Sequence, residues 1–217
     1  KLLSATPTLA AGVNLPARRV VISSVLRYNS QYGGNVPISV LEYKQLCGRA
    51  GRPQYDDEGE SIIIGKNNQE LLLERYIDGE PEPIESKIIT PRSLRIHLLS
   101  LIVTSPSITE DKINEFFSET LGGTQTENDI IELHLENAKT FLLDEEFISE
   151  NDGGFLATRF GQKVSRLYID PMTARDFRNA IEYDIVKGGE HTFGFLHLVT
   201  TCDEFYPTFD LRQKDLE

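Results

Sequence analysis

Gln45-Leu46-Cys47-Gly48-Arg49-Ala50-Gly51-Arg52, followed at once by Pro53, sets two arginines three positions apart among two glycines and an alanine, so nothing bulky screens either guanidinium. The residues leading into it read as a helix. Ser39-Val40-Leu41-Glu42 has the pattern of a capping box, with Ser39 as N-cap and Glu42 reaching back to its amide. Leu41, Tyr43, Leu46 and Ala50 form the expected buried stripe. Arg49 and Arg52 are predicted to project together from the end of that helix. Arginine grips a phosphoryl group bidentately and glycine lets backbone approach one; alone the pair would read as a solvated surface turn, and it is the flanking sequence that turns the reading towards a phosphate-contacting site.

Moving outward, the 217 residues suffice for one large domain or two small ones, and 39% hydrophobic with 26% charged residues is ordinary for a water-soluble chain. No apolar run reaches membrane-spanning length, so no membrane partner is expected, and two isolated cysteines make a reducing, cytoplasmic setting the default reading. Cys47 and Cys202 are far apart and without a partner motif, which argues against a disulfide framework or a metal site. The net charge of −12 is uneven: residues 1–84 have nine Lys/Arg against ten Asp/Glu, and residues 85–217 thirteen against twenty-four. Phosphate neutralisation supplies most non-specific nucleic-acid affinity, so the acidic second part is a poor free-standing nucleic-acid binder. Phosphate chemistry is better placed in the first.

Along the chain, residues 1–5 read as the end of a buried strand and Thr6 to Asn14 as a small-residue loop. Val20 to Val25 reads as a strand buried on both faces. Tyr28 to Asn35 is most simply a hairpin tip, and Ser61 to Ile64 a further strand. Gly59 and Gly65 enclose five residues where a phosphate loop needs four, and Asn67 follows Lys66, so that motif is excluded. Glu80-Pro81-Glu82-Pro83 reads as a linker. Helical stripes follow at Leu94/Leu98/Leu101/Ile102, at Ile113/Phe116/Phe117/Leu121 with a capping box at Ser107 and Glu110, and at Ile131/Leu135/Ala138/Leu142. A hairpin around Asn151-Asp152-Gly153-Gly154 completes the order of a winged helix. The third helix would be its reader, but Asp129, Glu132 and Glu136 on it would repel phosphates. The basic run Arg159, Lys163, Arg166, Arg175 and Arg178 reads as a solvated face or a backbone contact. Val164, Leu167 and Tyr168 mark a helix, Asp170-Pro171 starts another, and Gly188-Gly189 precedes a last helical segment.

Ala5-Thr6-Pro7-Thr8-Leu9-Ala10-Ala11-Gly12-Val13-Asn14-Leu15-Pro16-Ala17-Arg18 and the stretch from Gln45 to Pro53 resemble motifs V and VI of superfamily-two helicases of the Ski-like group. Arg75 to Glu82 and Ser165 to Pro171 resemble the archaeal DNA-repair helicases related to the polymerase theta helicase. The resemblance covers almost the whole chain. It implies an α/β part followed by a mainly α part. These are the C-terminal part of a RecA-like motor lobe at residues 1–80, a linker at 81–86, a winged-helix domain at 87–183 and the start of a helical domain at 184–217. The implied activity is an ATP-dependent DNA helicase, 3′-to-5′, in repair or replication restart, with ATP and Mg2+ as cofactors and single-stranded DNA or a duplex junction as partner. Arg52 would then be the finger on the transferring phosphate, with Arg49 assisting and Gln45 orienting. Gly12 and Asn14 would face the nucleotide, and Thr6 and Thr8 would hold the tracking strand. The hairpin with Tyr28, Asn29, Gln31 and Tyr32 would part the duplex. Motor motifs are shared with RNA helicases of the group, so that reading stays open, as does a winged-helix binding or scaffold module with a non-catalytic motor remnant.

The chain departs from the family in lacking the phosphate loop, the Mg2+ carboxylates and the earlier strands of the lobe, and is expected to need an N-terminal motor lobe in cis. The 217-residue chain alone should release no phosphate from ATP above an Arg49→Ala/Arg52→Ala control, measured with single-stranded DNA at high protein concentration. Turnover above that control would contradict the reading.

Overall fold

The computed structural model describes residues 2–6, 16–29, 32–52, 54–66, 68–188 and 191–205. The chain divides into two units, Lys1–Ile84 and Glu85–Glu217.

In the first unit, β1 (Arg19–Ile22) leads to β2 (Leu26–Asn29) and β3 (Gly34–Pro37), then α1 (Val40–Cys47), β4 (Glu60–Ile63) and α2 (Glu70–Asp78). β1 pairs in parallel with β4, Val21 opposite Ile62, and β2 pairs antiparallel with β3, Tyr28 opposite Asn35. The core is Ile22, Val25, Val40, Tyr43 and Tyr76, with Leu46, Ile63 and Leu72 packed on it. The Tyr43 and Tyr76 rings lie 5.1 Å apart, and the Tyr76 hydroxyl donates to the Ile38 carbonyl at 2.5 Å. Residues 2–6 are not a strand, and Leu2 is 98% exposed. The first strand stops at Ile22, and Val21 is 53% exposed, because among the described residues β1 has one neighbouring strand and only one face of the pair meets the core. The Ser39 cap forms, its hydroxyl accepting from the Glu42 amide at 3.0 Å. The other half of the box does not: the Glu42 carboxylate pairs with Arg27 on β2.

The second unit contains α3 (Pro91–Thr104), α4 (Glu110–Ser118), α5 (Leu121–Gln125), α6 (Asn128–Asp144), β5 (Ile148–Asn151), β6 (Gly154–Ala157), α7 (Arg159–Leu167), α8 (Pro171–Lys187) and α9 (Thr192–Thr200). β5 and β6 form a hairpin, and Ile108 bridges to Phe155 at its edge, so the order is helix, bridging strand residue, helices, wing. That is the arrangement of a winged helix. Leu94, Leu98, Ile102, Phe117, Leu135, Leu142 and Phe147 make the centre of one core. All four residues of the third stripe, Ile131, Leu135, Ala138 and Leu142, are buried. Gly154 needs its glycine: φ is +118°, and a Cβ would lie 2.3 Å from the Ile108 carbonyl oxygen.

The expected cap at Ser107 is wrong. Ser107 has φ 61°, its amide donates to the Phe155 carbonyl at 3.0 Å, and Thr109 precedes α4 instead. The wing competes for that backbone and wins. Phe116 and Leu121 of the second stripe are exposed, since Leu121 begins a separate short helix. Leu101 is only half-buried, and Leu167 is exposed where Tyr168 turns left-handed to end α7.

Asp170 anchors the helix that follows. It is 1% exposed, caps α8 by accepting from the Met172 amide at 3.1 Å, and takes Arg95 bidentately at 3.1 and 2.9 Å. Glu204 accepts from the Asp170 amide at 3.0 Å and from the Thr173 hydroxyl at 2.9 Å, and pairs with Arg92 at 3.4 Å. Removing one member of such a buried pair strands the other charge. Asp170→Ala should therefore lower stability by about 3 kcal/mol or more in urea unfolding. Asp170→Asn, which keeps a capping oxygen, should cost less.

Candidate functional site

The arginine turn is built on the end of α1. The Glu82 carboxylate fixes the start of that helix, its two oxygens accepting from the Val40 and Leu41 amides at 2.9 Å each. These are the orphan donors of a first helical turn, where the helix dipole favours negative charge. Glu82 also pairs with Arg75 at 3.3 Å. The Glu80–Pro83 stretch, read from sequence as a spacer, is thus fastened to the first unit forty residues away. The backbone amides hold the Glu82 carboxyl down at about 2.

α1 ends at Cys47, and the chain turns through Gly48 to Gly51. The Ala17 amide donates to the Arg49 carbonyl at 3.0 Å, and the Ala17 carbonyl accepts from the Gly51 amide at 2.7 Å. The two motif-like stretches are therefore hydrogen-bonded to each other between the two arginines. Gly51 has φ +89°, which favours glycine, and Gly59 crosses so near that a Cβ there would lie 2.5 Å from the Ala50 carbonyl carbon and the Gly51 nitrogen.

Gln45 is exposed on α1, and Arg49 is half-buried in the turn. Arg52 is exposed, with its guanidinium 5.7 Å from the centre of the Tyr55 ring and salt-bridged to Asp56. Both arginines lie beyond the end of α1 rather than on its last turn. Thr6 is exposed outside any regular element. Thr8, Gly12, Asn14 and Gln31 lie outside the described residues. At the hairpin, Tyr28 is 62% and Tyr32 72% exposed, Asn29 half-buried, and Gly33 turns with φ +60°. Among the described residues, no group of three or more His, Cys, Asp or Glu is arranged to hold a metal ion.

In the second unit, α6 presents Asp129, Glu132 and Glu136 outward, and Lys139 is held by Glu110 and Glu136 at 2.5 Å each. The basic run divides in two. Arg175 pairs with Asp176 at 2.8 Å and Arg178 with Glu145 at 2.6 Å, while Arg159, Lys163 and Arg166 are exposed on α7 at i, i+4 and i+7.

Residues 59–149 match the model of a helix-turn-helix domain. Over 207 residues the chain is 43% identical to a protein of Methanocella arvoryzae named ATP-dependent DNA helicase Hel308, covering 94% of this chain and 28% of that one. Over 212 residues it is 37% identical to the protein of the same name from Pyrobaculum calidifontis, covering 94% and 29%. The similarity to archaeal DNA helicases read from the motifs is thus shown, and the chain spans less than a third of the length of these curated relatives. No helix among the described residues is long and apolar enough to cross a membrane.

Glu82 gives a pH test. Its carboxyl is depressed from an ordinary 4.5 to about 2 in the folded chain, so its contribution is complete above pH 4.5 and is lost as pH falls towards 2. The gap in Tm between the native chain and Glu82→Gln should be open at pH 7 and narrow progressively below pH 4.5, by thermal unfolding monitored in parallel. A gap that does not change with pH would exclude the carboxylate cap.

Proposed function

We propose that this chain is a working part of an ATP-dependent DNA helicase motor, supplying the end of a RecA-like lobe, a winged helix and the start of a helical domain. What supports the reading is similarity to ATP-dependent DNA helicases over 94% of the chain, together with an arginine turn bonded to the stretch ending at Arg18. In this reading Arg52 and Arg49 meet the γ-phosphate of ATP bound by a partner lobe, and Gln45 orients the nucleotide. Guanidinium groups placed there stabilise charge as the phosphoryl group transfers. Bound ATP with Mg2+ supplies the phosphoryl transfer itself. The Mg2+ ligands belong to other parts of the motor.

The β2–β3 hairpin acts as the strand-separating wedge, with Tyr28 and Tyr32 offering exposed rings on which bases stack. Thr6, Thr8, Asn29 and Gln31 hold the strand, and Gly12 and Asn14 face the nucleotide. In the second unit the acidic α6 does not enter a groove. Arg159, Lys163 and Arg166 on α7 touch the DNA backbone instead.

With residues 1–217 joined to a phosphate-binding lobe, Arg52→Ala should reduce DNA-stimulated ATP hydrolysis by about 10³-fold or more. Unwinding of a 3′-overhang duplex should fall with it. Native turnover in that variant would overturn the motor reading. Separately, Arg159→Glu/Lys163→Glu/Arg166→Glu should weaken DNA binding and lower the slope of log affinity against log salt by about 2 to 3. An unchanged slope would remove α7 from the interface.

A further inference from the structure

The loop after the arginine turn is folded back onto Arg52. Asp56 Oδ2 accepts from Arg52 Nε at 2.6 Å, Asp56 Oδ1 accepts from Arg52 Nη2 at 2.7 Å, and Oδ2 also accepts from the Arg52 backbone amide at 3.1 Å. The Arg52 carbonyl in turn accepts from the Tyr55 and Asp56 amides at 2.9 and 3.0 Å, which closes the turn from both ends. Tyr55 lies against the guanidinium face. The Asp56 side chain is only 6% exposed, whereas that of Arg52 is 45% exposed. Held between partners, the cation is raised further above its ordinary range, and the hydrogen bonds from Arg52 hold the Asp56 carboxyl below its own.

That pattern differs from a surface ion pair. The carboxylate is the buried member, fixed to backbone, and the arginine is the member left open. Asp56 takes two of the five guanidinium N–H donors, Nε–H and one on Nη2, and three remain for a phosphate. Closure of the loop depends on Gly59, whose backbone crosses Ala50 and Gly51 at a distance no side chain would permit. The acidic loop is therefore a bracket attached to the same turn that holds Arg49.

Resting on the motor reading above, we propose that Asp56, with Tyr55 as its floor, is a positioning residue for Arg52: it presets the guanidinium so that its free edge meets the transferring phosphoryl group. A long arginine side chain has many rotamers, and a misplacement of about 1 Å can cost about a hundred-fold in rate. A bidentate carboxylate selects one orientation. Asp57, exposed beside it, is the internal control.

Two measurements test this. In the 217-residue chain, 15N relaxation at Arg52 Nε–H should report an ordered group in the native protein and in Asp57→Asn, and a mobile one in Asp56→Asn. Equal order in all three would overturn the positioning claim whatever the protein does. In the chain joined to a phosphate-binding lobe, Asp56→Asn should lower kcat for ATP by about ten-fold or more with KM within about two-fold, and Asp56→Glu should recover part of the loss. Asp57→Asn should behave as native. An unchanged kcat in Asp56→Asn would overturn the proposal, as would a raised one, which would mean that Asp56 sequesters Arg52. If Arg52→Ala itself leaves turnover intact, the motor reading fails, and the relaxation result still decides whether Asp56 orients the side chain.

Discussion

Two backbone hydrogen bonds at Ala17, one donated to the Arg49 carbonyl and one accepted from the Gly51 amide, are the constraint on which the first unit depends. They join chain segments more than thirty residues apart and fix the peptide on either side of Ala50. The following bonds continue the register: the Glu60 amide donates to the Arg18 carbonyl, and β1 then runs beside β4 from Arg19 opposite Glu60. The arginine turn thus continues the parallel strand pair, and its position is set by sheet geometry as well as by the end of the helix, whose Leu46 and Cys47 carbonyls accept from the Arg49 and Ala50 amides. Such placement on a regular element gives a functional side chain more precision than a free loop would.

Two short segments that resemble family markers have physical tasks that explain their residue types. Arg75 to Glu82 delivers a buried tyrosine and a carboxylate cap to the helix carrying Gln45, so the helix leading to the arginines is held at its beginning as well as its end. Ser165 to Pro171 ends one helix with a left-handed residue, Tyr168, and starts the next with a buried, doubly paired aspartate. Both devices use a carboxylate at a helix N-terminus, where unpaired amides and the dipole favour negative charge. The heavy acidic content of the second unit is not idle surface alone, since Asp170, Glu204 and Glu145 all hold arginines.

The sequence was most legible where a local rule and the tertiary fold agree. The Ser39 cap, the hairpin tip between Tyr28 and Asn35, the stripe from Ile131 to Leu142 and the Asp170-Pro171 start all depend on neighbours within a few residues. It misled where a distant partner outbid a local one. Ser107 looks like a cap but belongs to the wing through Phe155, and Glu42 looks like half of a box but is taken by Arg27. Glu82 was unreadable as a cap because its partners are forty residues away. Asp56 had a signal, an aspartate four residues after an arginine, but outside a helix that spacing does not imply contact. Here a turn that bonds the Tyr55 and Asp56 amides to the Arg52 carbonyl brings the two together. Of the candidate site, the arginine turn and the exposed hairpin tyrosines were legible, and the bracket around Arg52 was not.

Amide hydrogen exchange across the first unit tests the central claim most directly. If the arginine turn is an extension of the strand pair, the amides of Ala17 and Gly51 exchange as slowly as those of β1 and β4 and open together with them. Exchange of those two amides at the rate of free loops, while Ile62 and Ile63 remain protected, would show that the turn is not held by the sheet.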